Sequence, residues 1–82
     1  MREIKTGDNT RELHTDDDIF LLSYGVPVAA FVEGIGYIRT EEFFSKATSK
    51  HINNWLRANG ALDRAMKIPQ KGMEELISRA RN

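Results

Sequence analysis

The chain has 82 residues, 40% of them hydrophobic and 29% charged, with twelve Lys/Arg against twelve Asp/Glu and no cysteine. One domain of this size buries only about 60–65% of the surface its unfolded form exposes, so a packed core has to supply the stability. Disulfides and thiolate zinc sites are excluded, and the composition is far from that of a disordered segment.

Charge is unevenly spread. Residues 1–42 carry a balance of −5 and residues 43–82 a balance of +5. Such a split marks a basic binding surface, a head-to-tail complementary dimer, or a solvated surface that merely segregates its charges. The opening MREIKTGDNT is polar where a secretory signal would be apolar, and the longest apolar run, Val26 to Val32, has seven residues. A bilayer span needs about 20, so a cytoplasmic protein without membrane contact is expected.

Taken in order, the chain begins with weak pattern. Gly7-Asp8-Asn9 and Asp16-Asp17-Asp18 are turn signals, with Arg11 to His14 read as extended between them. From Ile19 the signal strengthens: IFLLS is a strand, Tyr24-Gly25 breaks it, and VPVAAFV resumes with Pro27 near its start, where a missing N–H does least damage. Glu33-Gly34-Ile35-Gly36 is a hairpin loop and Tyr37-Ile38-Arg39 the returning strand, which makes a meander. Ile19 to Leu22 and Val28 to Val32 are apolar at every position, the mark of strands covered on both faces. Either two helices flank the sheet on opposite sides or a second protomer covers one face, and the second arrangement is the favoured expectation.

At least one of Phe43 and Phe44 is expected in the core. Ser45 to Gly60, SKATSKHINNWLRANG, is the clearest helix, spanning Ser49 to Asn59. Thr48 or Ser49 is its cap, Ile52, Trp55 and Leu56 its apolar stripe, and Asn59-Gly60 its stop. Ala61 to Ile68 is either helical or a short connecting strand. Pro69 opens a last helix in which Met73, Leu76, Ile77 and Ala80 share one face. The expected class is α+β: a three- or four-stranded antiparallel meander followed by two helices, in one domain over residues 1–82.

Three segments, SYGVPVA at Ser23–Ala29, GIGYIRT at Gly34–Thr40 and SKATSKHINNWL at Ser45–Leu56, carry a resemblance. They are similar to segments of small uncharacterised proteins of tailed phages, prophages and plasmids, whose pattern runs SYGTPVA, GYYRT and TTSKHINxWL. Val26, Ile38 and Ala47 depart from that pattern. The resemblance covers about the middle half of the chain and implies a mobile-element origin; it brings no activity or catalytic residue with it.

The candidate binding face is the polar side of the first helix. Lys50, Asn53, Asn54 and Arg57 recur at helical spacing opposite Ile52 and Leu56. Lys50, read in the first helical turn, would form an anion or phosphate site with Thr48, Ser49 and the free N–H groups of the helix start. Asn and Arg also read base edges in a major groove. The structural alternative is a solvated helix face. His51 is read as a packing or capping residue and Trp55 as core. His14 with Asp16, Asp17 and Asp18 lacks the glycine and glutamate of a calcium loop and is read as a charged turn. Gly34-Ile35-Gly36 lacks the rest of a dinucleotide fingerprint, and Ser23, Ser45 and the two histidines make no triad by sequence alone.

The expectation is a non-catalytic accessory protein that binds a macromolecular partner, a host or defence-system protein, with no cofactor or metal. The alternative is a nucleic-acid-binding protein using the first helix and the basic C-terminal half.

Overall fold

A computed structural model describes residues 1–81. In chain order they form β1 (Arg2–Lys5), β2 (Thr10–His14), β3 (Ile19–Ser23), β4 (Val26–Val32), β5 (Gly36–Thr40), α1 (Lys46–Ala58), β6 (Met66–Ile68) and α2 (Gln70–Arg81). The strands make one sheet in sequence order. The first five are an antiparallel meander, and β6 joins β5 in parallel after the crossover through α1. The class is the expected α+β, with two additions. The edge strand β1 is Arg-Glu-Ile-Lys, with only Ile4 half-buried, so it carries no apolar alternation to read. Strand β6 has three residues, and its place depends on the crossover that precedes it.

Tyr24 and Gly25 form a two-residue hairpin loop, with φ of 52° and 79°. Positive φ at both positions is the geometry whose twist matches paired strands. Between β3 and β4 the register slips: Leu21 pairs with Ala29, but Leu22 pairs with Pro27. Val28 is therefore the extra residue of a bulge, and it joins Ala29 on the same face of the sheet.

The two faces have separate cores. Leu13, Phe20, Leu22, Ala30, Val32 and Ile38 pack with Met73 and Ile77 of α2. Leu21, Val28 and Ala29 pack with Ile52, Trp55 and Leu56 of α1, and with Ala61. The apolar strands are thus covered on both faces by the chain's own helices. The arrangement with flanking helices is the one found, and these strands give no reason to invoke a second protomer. Each fully buried Leu, Ile or Met in these layers contributes about 1.5–3 kcal/mol of burial free energy.

Helix α1 starts earlier than expected. Its cap is Ser45, whose hydroxyl accepts from the Thr48 N–H at 3.1 Å, so Thr48 and Ser49 lie inside the helix. The reason is tertiary: Thr48 is 4% exposed, its hydroxyl taken by Ser23 of β3. The helix stops as read. Gly60 has φ +68°, its N–H donates to the Arg57 carbonyl, and the Ala61 N–H donates to that of Leu56. This is the paired bonding of a left-handed glycine stop, sealed by contact between Ala61 and Leu56. Pro69 directly precedes α2, and its carbonyl accepts from Met73 N. Met73 and Ile77 are buried, and Leu76 and Ala80 pack beside them.

Neither Phe43 nor Phe44 enters the core, contrary to expectation: Phe43 is 69% exposed and Phe44 39%. The connection from β5 to α1 is pinned by its backbone instead. Glu41 N donates to the Ile68 carbonyl and Glu42 N to Thr40 Oγ1. Both faces above and below are already filled, so the aromatic pair is left outside.

Candidate functional site

The β1–β2 loop, the Tyr24-Gly25 turn and the Glu41–Phe44 connection all lie at one end of the sheet, because they follow strands that run the same way. Helix α1 begins at that end and runs back across the sheet, so its first two turns lie beside the end of β3. There Ser23 Oγ lies 3.0 Å from Thr48 Oγ1 and 2.9 Å from His51 Nδ1. Ser23 is 2% exposed. Sequence reading missed this pairing, which joins residues 28 apart. The one signal for it is a serine closing an otherwise apolar run. The Tyr24 ring sits 5.8 Å from that of His51.

One turn further on, Trp55 Nε1 donates to Glu12 Oε2 at 2.7 Å, and the other oxygen of Glu12 meets His14 Nε2 at 2.8 Å. The Trp55 and Tyr37 rings also meet edge to face, with their centroids 5.7 Å apart. Trp55 is core, as read, with its one polar atom paired. Between α1 and the β1–β2 hairpin lies a cleft of about 270 Å³, lined by Thr6, Thr10, Leu21, His51, Asn54 and Trp55. The three segments that carry the resemblance meet around α1. Ser23 and Tyr24 bear on His51, while Tyr37 and Arg39 bear on Trp55 and Asn53.

Of the six residues expected to form one binding face, Lys50, Asn54 and Arg57 share an exposed side of α1, while Thr48, Ser49 and Asn53 are drawn away from it. Thr48 is buried and Ser49 half-buried. Ser49 N already bonds the Ser45 carbonyl, and Thr48 N bonds the Ser45 hydroxyl. The anion cradle expected at Thr48 and Ser49 therefore has no free N–H groups there. Asn53 accepts from Arg39 Nη1 at 3.2 Å, and Asn54 from Arg57 Nη1 at 3.1 Å. Lys50, Asn54 and Arg57 are exposed. Lys50 falls in the second turn of α1, and Lys46 takes the first-turn position.

Ser23 and His51 do not form a nucleophilic pair a substrate can reach, since the hydroxyl is closed off beneath the helix. Among the described residues no three His, Asp or Glu side chains converge as metal ligands. The Asp16–Asp18 turn is used otherwise. The Thr15 hydroxyl bonds Asp18 N and the Asp18 carbonyl, and Asp18 Oδ1 accepts from Glu33 N, which ties two loops together. No helix among the described residues is long and apolar enough to cross a membrane.

Fold and site define a small three-layered α+β protein with a histidine held at a shallow cleft. The chain belongs to the family of unknown function DUF8033, whose model matches residues 2–75. No curated protein and no solved structure matches it.

Proposed function

We propose that the protein is a non-catalytic accessory protein of a phage or other mobile element, working in the host cytoplasm by binding a macromolecular partner, a host protein or a defence component. The resemblance of its three segments supports the origin. The observation that carries the binding reading is the aromatic end of the sheet: Phe43 is 69% exposed, Tyr24 58% and Phe44 39%. These three rings belong to neither core, and aromatic side chains dominate binding hot spots. The test compares the immobilised wild-type chain with Phe43→Ser/Phe44→Ser in host lysate. One stoichiometric partner is expected on the wild type and is lost from the folded double variant. Equal recovery, or none from either, defeats the reading.

A second reading, nucleic-acid binding, has its own observation. Helix α1 carries Lys46, Lys50 and Arg57 and no acidic residue, and none of these cations is in an ion pair among the described residues. Affinity for DNA or RNA should then fall steeply with salt, and Lys50→Ala with Arg57→Ala should flatten that slope by roughly two. An unchanged slope, or no binding at low salt, ends this reading. Light scattering separates a monomer from a homodimer in either case.

A further inference from the structure

The hydroxyl chain behind His51 fixes more than the ring's position. Thr48 Oγ1 and Ser23 Oγ are both buried, and Ser23 is the one hydrogen-bond partner of the Thr48 hydroxyl among the described residues. If Thr48 donates to Ser23 and Ser23 donates to His51 Nδ1, each hydroxyl proton has an acceptor. The reverse order leaves the Thr48 proton unplaced in the interior, at a cost of about 1–3 kcal/mol. The ring proton of neutral His51 therefore sits on Nε2; His51 lines the cleft, and Nε2–H is its one ring donor without a partner among the described residues.

The other lining groups lean the same way. Asn54 Oδ1 is occupied by Arg57, which leaves its Nδ2 to donate. Thr6 donates to Thr10 at 3.0 Å, which frees the Thr10 hydroxyl proton. No carboxylate lines the cleft, and both oxygens of nearby Glu12 are held by Trp55 and His14. Lys50 lies one turn before Asn54 on the same side of α1. Leu21 and Trp55 supply an apolar floor.

We propose that this cleft binds a small carboxylate with a compact apolar body, through the His51 Nε2–H, the Asn54 amide and the Thr10 hydroxyl. At about 270 Å³ it falls below the roughly 300–1,000 Å³ of drug-sized pockets, which limits the ligand to a compact one. The proposal does not rest on the partner-binding reading.

The test is an NMR titration of the full chain with benzoate and with its neutral counterpart benzamide. Benzoate should saturate at millimolar concentration, moving the His51 ring nitrogens, the Asn54 side-chain amide and the Thr6 and Thr10 signals together. Benzamide should bind at least about tenfold more weakly, as expected when a charge-assisted bond is replaced by a neutral one. Asn54→Ala, at an exposed position that leaves folding intact, should weaken benzoate about fivefold or more. Ser23→Ala should release the Nε2–H form of His51, seen in its ring nitrogen shifts, and weaken benzoate without touching it. Shifts that do not saturate, shifts centred elsewhere, equal affinity for benzamide, or an unaffected Asn54→Ala variant overturn the proposal.

Discussion

Tyr24 occupies a left-handed backbone position, φ +52°, that glycine or asparagine fills at less cost. Such strain in a non-glycine residue costs about 1–3 kcal/mol and persists where something else holds it. Here the neighbouring ring of His51 and the bond from Tyr24 N to the Asn9 carbonyl hold it. Tyr24→Asn is therefore expected to raise unfolding free energy by about 1 kcal/mol in urea denaturation. Under the partner-binding reading the same variant should bind less well. A destabilised Tyr24→Asn protein would mean that the tyrosine ring supports the fold rather than straining it. Ser23 is the opposite case. Its hydroxyl is buried and paired twice, so Ser23→Ala should cost about 1–2 kcal/mol. Ser23→Ala and Thr48→Val together should cost less than their sum, because the partner is removed as well.

At the scale of elements, α1 tests where the helix begins. Ser45→Ala should cost about 0.5–2 kcal/mol, the range for loss of a serine cap. Ser49→Ala should cost almost nothing, since Ser49 sits within the helix and its hydroxyl has no hydrogen-bond partner among the described residues. The reverse ranking in thermal melts would restore the cap that the sequence suggested. The local signal did not separate the two positions, because each is a hydroxyl residue before an apolar stripe. What decided between them was Ser23, 25 residues before Thr48 in the chain, which draws Thr48 inward. The end of the helix needed no such help, since glycine's freedom at φ +68° is a local property.

In the whole molecule, the sheet separates two cores that share strands but not helices. Leu56→Ala and Met73→Ala should each cost about 2–5 kcal/mol. Their effects should add within about 0.5 kcal/mol, because the two side chains belong to opposite layers with no common partner. Strong coupling between them in a double-mutant cycle would show that the layers communicate through the sheet. A chain of this size has only about 4–12 kcal/mol of stability in all, so each single variant should lose a large part of it. The sequence by itself determined the class, the meander from Ile19 to Thr40, both helices and the glycine stop. Each of these rests on periodicity or on backbone freedom within a few residues. Only the tertiary structure decided which helix covers which face, that β1 and β6 join the sheet, and that Phe43 and Phe44 stay outside. It also decided that Ser23, Thr48 and His51 meet beside a cleft. Those outcomes depend on contacts between distant segments competing for the same two faces, and no local pattern records who wins.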